Sequence, residues 1–479
     1  MTEILYAGVA RKVINPMLGI KKIGMRLFGD PIQAIESDLT ATAIVIANSS
    51  AKVALIACDL CGIPASVVSE VRQRISAAID IPTSHVLVNE SHTHSCPAFP
   101  TYTRDIPEQI RLKQRYKDSF MDWVVEAATN ANQQLQPVRI GAGWGEARIG
   151  IYRRETGPDG RDVLGEVPDA PTDPAVGVIR VDDLDGRPVA TLFSYGCHPV
   201  TIGPRSMVAS SDFPGAAREV IEHVLGGMAI FFQACGGNIN PIGGIGYEVD
   251  CRDTRNRVGV ILGGEVLKVA ANIRTHVRPG PRTPLGTIPN ILFTPLIPVE
   301  DEPTAIVKAV DETVKLRFVE LPTLAEAEAI QTKWRQTLAD RQAGDAREWE
   351  IALAVRYCRW ADNLVDAVRD GNPTAEIRIQ AIRINNIVLA TISAEAFFET
   401  GFAIKAQSAF EHTQVLGYSN GLTCYLPRAE DFPANGWKLD QPYALPDLMF
   451  QAAGLSVAIH PESEQVVVER TLKLIDALV

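Results

Sequence analysis

The sequence predicts a mixed α/β fold of the α+β kind, with mixed sheets flanked by helices, and three observations lead there. Over about the first 280 residues, short β-rich runs alternate with stretches of helical periodicity. Two long helical stretches then precede two further apolar strands. Several apolar runs also end abruptly in polar clusters, the pattern of strands that deliver groups to a crevice at their carboxyl ends. At 479 residues the chain can bury a large core, and 46% apolar with 22% charged residues is an ordinary globular balance. Length alone allows several domains, but no linker, repeat or low-complexity tract stands out, so one domain over residues 1–479 is expected.

The elements follow in order. Residues 41–47 and 53–57 are β-rich and read as strands. The stripe Val67, Val68, Val71, Ile75 and Ala78 predicts a helix over 64–79. Residues 85–89 read as a strand and 115–135 as a helix. Runs 176–181 and 188–195 flank Asp182-Asp183-Leu184-Asp185-Gly186, as in a hairpin. Pro214 suits the first turn of a helix over 214–224. A buried strand over 228–232 and a helix over 255–273 come next. Residues 279–305 are proline-rich and read as a long irregular connection. Helices over 324–342 and 346–369 lead to strands over 376–384 and 387–392, split by Asn385-Asn386. The turn-rich region 418–450 reads as loops covering a pocket, and 462–478 as a closing helix.

A formal net charge of −11 argues against nucleic-acid binding and against docking on anionic lipid, since both need a positive field. No uncharged apolar tract has the length of about 18 residues that a membrane span needs, so no stable membrane insertion is expected. The start, Met1-Thr2-Glu3-Ile4-Leu5-Tyr6, lacks the pattern of a signal peptide, and a cytoplasmic location is expected. These features suit a small-molecule substrate and are compatible with a homo-oligomer. The eight cysteines are scattered. Cys58 and Cys61 have the spacing of a zinc or redox pair, but no second pair accompanies them, and they read as small buried hydrophobes.

Five apolar runs end in chemistry-bearing residues. Val86-Leu87-Val88 leads to Asn89-Glu90-Ser91-His92-Thr93-His94-Ser95. The run 189–193 leads to Tyr195-Gly196-Cys197-His198-Pro199, and Ile230-Phe231-Phe232 to Gln233-Ala234-Cys235-Gly236-Gly237-Asn238. The run 387–392 leads to Ser393-Ala394-Glu395, and Val415-Leu416 to Tyr418, Asn420 and Tyr425. On an extended segment His92 and His94 point the same way, so two imidazoles can face one pocket. Neutral imidazole suits zinc, and a catalytic zinc takes three protein ligands and a water. A histidine pair in a turn is also an ordinary solvated motif, and a lone His198 suits a structural hydrogen bond. Glu395 is more telling, because a carboxylate after so apolar a strand must be paired or metal-bound.

The motifs in order are Ser91-His92-Thr93-His94-Ser95, Tyr152-Arg153-Arg154 with Asp159-Gly160, Gly196-Cys197-His198-Pro199, Ser211-Asp212-Phe213-Pro214-Gly215, Gly236-Gly237-Asn238-Ile239-Asn240-Pro241, Ala394-Glu395, and Tyr418-Ser419-Asn420-Gly421 with Tyr425-Leu426-Pro427. Together, from Gly8 to about Trp437, the chain resembles the catalytic domain of the neutral, non-lysosomal ceramidase family. The resemblance implies a Zn2+ ion held by His92, His198, Glu395 and Tyr425. It implies that His94 and Arg153 contact the reacting carbonyl oxygen, with Tyr425 adding a phenol. The implied activity is zinc-dependent hydrolysis in which metal-activated water attacks a carbonyl, foremost the amide C–N bond of a small or N-acyl substrate. Ester hydrolysis or Lewis-acid-assisted proton abstraction on the same metal is the alternative. A non-catalytic metal protein is the third reading, against which His94 and Arg153 speak, since a structural zinc is closed by four protein ligands.

Departures from the family sharpen these expectations. Asn240 stands where the family has a serine proposed as functional, so a covalent serine mechanism is not expected. Tyr152 replaces an asparagine, and Trp437 replaces a usual tyrosine. The family's C-terminal β-domain and secretion signal are missing from the sequence, which points to a smaller amide than long-chain ceramide. Asp212 either orients a histidine ligand or caps the helix before Pro214.

Overall fold

The computed structural model describes residues 4–23, 30–98, 106–158, 162–299, 305–371, 375–432 and 455–479. Its largest element is an eight-stranded sheet in the spatial order Met228–Gln233, Pro188–Tyr195, Ala175–Asp183, Gln136–Glu146, Leu5–Val13, Thr40–Ala47, Lys52–Cys58 and Val86–Glu90. The outermost pair at each end is parallel, and every pair between is antiparallel. A four-stranded sheet orders Val307–Leu316, Ala375–Ile384, Ile387–Ile392 and His412–Leu416, with only the last pair parallel.

Side chains alternate strictly between two cores, which makes four layers. Ile44, Ile46 and Leu55 of the large sheet, with Leu192, Ile230 and Phe232, meet Ile382, Leu389 and Leu416 of the small sheet. On the outer face of the large sheet, Ala43, Val45 and Ile56 pack under the helices Ala65–Ile79 and Pro107–Gln133. Farther along, Phe193 and Phe231 pack under Asp212–Leu225 and Arg252–Asn272. Ile377, Val388 and Ala390 of the small sheet lie under Phe398–Gln407 and Ser463–Asp476. Burial on both faces explains why these strands read as unbroken apolar runs. Each large side chain so buried contributes about 1.5–3 kcal/mol. The helices Leu324–Ala343 and Glu348–Asp370 form a satellite core, where Trp334 stacks on Tyr357 at 4.4 Å. No helix among the described residues is long and apolar enough to cross a membrane.

One side chain ties the layers at the end where the polar clusters lie. Val86–Glu90 and Met228–Gln233 are opposite edges of the large sheet, yet Asn89 Oδ1 accepts from Gln233 N at 2.8 Å. Asn89 Nδ2 donates to Gly417 O at 2.9 Å and to Gln233 O at 3.2 Å. The carboxyl ends of three strands are thereby drawn to one point.

Several expectations need correction. The helix expected over 115–135 runs Pro107–Gln133, since Pro107 occupies its first turn where the missing N–H costs nothing. Within the expected irregular connection over 279–305, the described residues 279–299 contain paired strands. Val277–Pro279 pairs with Leu296–Pro298, and Thr283–Leu285 with Ile288–Phe293. Their prolines sit on two-stranded ribbons, where a strand needs partners on one side only. Residues 433–450 of the pocket-covering loops, Trp437 and Asp159-Gly160 lie outside the described residues.

Candidate metal centre

His92, His198 and Glu395 reach one point because their backbones are held tightly. After Val86–Glu90, Ser91 N donates to Cys58 O at 2.8 Å and His92 N to Leu60 O at 2.9 Å. His92 has φ 64, and Tyr418 and Asn420 opposite it have φ 51 and 59, left-handed conformations that side-chain-bearing residues rarely adopt. Such strain collects at functional sites. The turn bearing His198 packs backbone to backbone on the turn after Met228–Gln233. A Cβ on Gly196 would lie 2.2 Å from Cys235 O, and one on Gly236 2.6 Å from Gly196 C, so neither tolerates a side chain. That approach sets Gly236 O 2.9 Å from His198 Nδ1. Glu395 is placed by a two-residue parallel bridge whose partner is Tyr425.

The ligand atoms of His92, His198 and Glu395 lie within 4.8 Å of one another, and all three residues are buried. Glu395 Oε2 is 3.2 Å from His198 Nε2 and 3.4 Å from His92 Nε2. In a tetrahedral shell with bonds of about 2.0–2.1 Å, neighbouring ligand atoms stand roughly 3.4 Å apart. A backbone carbonyl can only accept, so His198 Nδ1 carries its hydrogen and donates to Gly236 O. In a neutral ring that leaves Nε2 as an acceptor facing an acceptor, the Glu395 carboxylate. A second proton is opposed, because burial, then the Arg153 charge, push the His198 imidazolium pKa down to about 3. Burial pushes the Glu395 carboxyl up, but His92 beside it outweighs burial and holds it well below the usual range. A neutral imidazole and an ionised carboxylate pointing at one spot are the protonation states a divalent metal takes.

The other expected residues surround this trio. Tyr425 hydrogen-bonds to Glu395, and its Oη accepts from Arg153 Nη2 at 3.0 Å. Burial and the Glu395 charge push its phenol pKa up, so it keeps its proton. Arg153 also donates to Gly237 O at 2.6 Å and to Asn240 Oδ1 at 3.2 Å. It lies on the strand Gly150–Thr156, where pairing with Asp162–Val167 slips between Tyr152 and Arg154. Such a slip re-aims a side chain. The His94 ring is 5.0 Å from that of His92 and 5.8 Å from that of His198. Neither His94 nitrogen has a hydrogen-bond partner among the described residues. Burial, then His92 and His198, hold its pKa well below the ordinary imidazole value, so it is neutral. It opens onto a cavity lined by Lys22, Val200, Ile202 and Ile245.

Asp212 contacts no histidine ligand among the described residues. Its carboxylate accepts from Thr201 Oγ1, from Ile202 N at 2.9 Å and from Phe213 N at 2.7 Å, closing the loop that follows His198. Two neighbours were not given roles from sequence. Tyr418 lies with its ring 4.5 Å from that of His92. Cys61 Sγ is 3.5 Å from His92 Nδ1. The Cys58–Cys61 spacing was the available signal, but the partner is a histidine 31 residues on.

No family model matches the chain. Neutral ceramidase A of Dictyostelium discoideum is 26% identical over 173 residues, which are 33% of this chain and 24% of that protein. Neutral ceramidase B of the same organism is 24% identical over 239 residues, 46% of this chain and 33% of that protein. The match thus spans a third or less of these relatives' length. Among solved structures, the neutral ceramidase from Pseudomonas aeruginosa superposes with a TM-score of 0.66 at 17% identity, covering 99% of this chain and 74% of that one. A ceramidase complexed with C2 gives a TM-score of 0.67 at 17% identity, covering 99% and 75%. Sequence and fold agree: the chain is similar to the neutral ceramidases over part of its length and shares the fold of their catalytic region.

Proposed function

We propose that this protein is a zinc-dependent amidohydrolase whose metal is held by His92, His198, Glu395 and Tyr425. The observation that carries the reading is the meeting of two acceptors, His198 Nε2 and Glu395 Oε2, at 3.2 Å, which a bridging cation relieves. Relationship to ceramidases supports an amide as the bond cleaved. The substrate class is a small or N-acyl amide.

Zinc held there supplies a Lewis acid that makes water nucleophilic near neutral pH. Arg153, fixed by Asn240, Gly237 O and Tyr425, offers a preoriented positive charge where the carbonyl oxygen gains electron density. His94 is a neutral imidazole whose two nitrogens have no hydrogen-bond partner among the described residues, so one can donate and the other accept. Its N–H would hold the carbonyl oxygen, while its other nitrogen takes a proton from the attacking water and passes it to the leaving amine. Asn240 keeps the guanidinium aimed instead of supplying a nucleophile, which agrees with attack by water.

The test is metal analysis together with amine release from a panel of N-acyl compounds and matched esters. One zinc per chain and released amine are expected. A chain that neither holds zinc nor responds to it overturns the metal reading. A zinc-loaded chain that cleaves only the esters overturns the amide reading.

A further inference from the structure

Cys61 is a buried thiol that the reaction above leaves unused. Its sulfur lies 3.5 Å from His92 Nδ1 and 3.8 Å from His92 Nε2. His94 makes an edge contact with the His92 ring at 5.0 Å, and both its nitrogens lack partners among the described residues. Ligand atoms of Cys61, His92 and His94 all fall within 4.8 Å of one another. Sulfur at about 2.3 Å and nitrogen at about 2.0–2.1 Å from a tetrahedral metal stand roughly 3.5 Å apart. The Cys61–His92 separation meets that value. The donor set is also distinct in kind. Glu395 gives the first trio a hard oxygen, whereas a thiolate favours a soft ion.

We propose that Cys61, His92 and His94 form a second cation site, selective for a soft thiophilic ion, which shares His92 with the first trio and competes with it. Binding moves the Cys61 S–H proton to solvent as the sulfur–metal bond forms, and no electron changes hands. The ion engages His92 and ties up His94. Soft cations therefore inhibit by removing a ligand and the proton-carrying imidazole together.

The test uses the metal-free full-length chain titrated with cadmium and followed by sulfur-to-metal charge-transfer absorption and cadmium NMR. A charge-transfer band saturating with a single ion per chain is expected. Cys61→Ser abolishes it, while Cys358→Ser and His198→Ala keep it. His94→Ala weakens cadmium binding by more than the roughly 10–100-fold that loss of a supporting partner costs. The cadmium shift of the unaltered protein counts sulfur ligands without any variant, and a shift showing none overturns the proposal. So does a band that survives Cys61→Ser, ignores His94→Ala, or vanishes in a folded His198→Ala chain, which would make the sulfur a ligand of the first trio. These readouts report thiolate ligation, so their failure leaves amide hydrolysis standing, and failure of hydrolysis leaves the band.

Discussion

Two buried charged clusters sit at strand ends a few residues apart, and they differ in one respect. Asp59 follows Lys52–Cys58 and takes both nitrogens of Arg218, at 2.9 and 2.7 Å. Asp59 Oδ2 also accepts from Thr40 N and Thr40 Oγ1, each at 2.9 Å. Both of its oxygens are matched to donors. At the candidate metal centre, by contrast, acceptors face each other, and His94, Ser91 Oγ and Tyr418 Oη have no hydrogen-bond partner among the described residues. Buried charge alone therefore does not distinguish a working site from a structural staple. An unbalanced set of donors and acceptors does, because a stable interior satisfies its polar groups.

The contrast can be broken by substitution, and the largest effect belongs to the open cluster. His92→Ala is expected to remove both metal and turnover, read by metal content and amine release, while the metal-free chain keeps nearly its original stability. Arg218→Ala should do the reverse. It strands the Asp59 carboxylate and is expected to cost about 3–5 kcal/mol in denaturant unfolding, with the metal still bound by whatever chain remains folded. Next comes His94→Ala, expected to keep the metal and lower kcat by about 10²–10³-fold, the cost of losing a preoriented group at a developing oxyanion. An unchanged rate would remove His94 from the reaction.

Smaller effects sharpen the comparison. Glu90 is buried with Oε2 accepting from Ile63 N at 2.8 Å and Oε1 unpartnered among the described residues. Burial, countered in part by backbone donors and assisted by Glu395, raises its pKa to about 8. The folded chain thus keeps a proton that the unfolded chain releases near pH 4.3. Stability from this group is full below that value and is lost as pH rises through about 8. In the metal-free protein, Glu90→Gln should flatten that loss in unfolding curves taken between about pH 4.3 and 8; an unaltered slope would place the titration elsewhere. Asn240→Ala removes one of the Arg153 anchors and is expected to lower kcat about tenfold, the scale of one hydrogen bond to a charged group. Retained metal is the control that separates this loosening from loss of the centre.

Much of this arrangement is legible in the sequence, and what is not has physical causes. Strands buried on both faces announce themselves as apolar runs, which is why 41–47, 228–232 and 387–392 were found and why the polar residues beyond them stood out. Gln136–Glu146 was missed because Gly141, Gly143 and Gly145 occupy one of its faces. Cβ atoms at Gly141 and Gly143 would press on Val269 of the covering helix and on Ile273 just beyond its end, so the strand carries no apolar alternation there. His92, His198, Glu395, Arg153 and Tyr425 were named through a resemblance and are brought together by the fold. The support beneath them was not visible. That Asn240 holds Arg153, or that Cys61 touches His92, depends on pairings between distant segments that no local pattern encodes.

Asn89 carries a consequence for how the centre comes into being. Its amide joins residues 144 and 328 positions away in the chain. Contacts of such long sequence separation form late, since much loop entropy must be lost before they are rewarded. The helices and hairpins can therefore be native-like while the groups of the candidate metal centre are still apart. On the reading that this centre holds a metal, capture of the ion is expected to report the last step of maturation, and an ion present during refolding to select finished molecules without hastening their assembly.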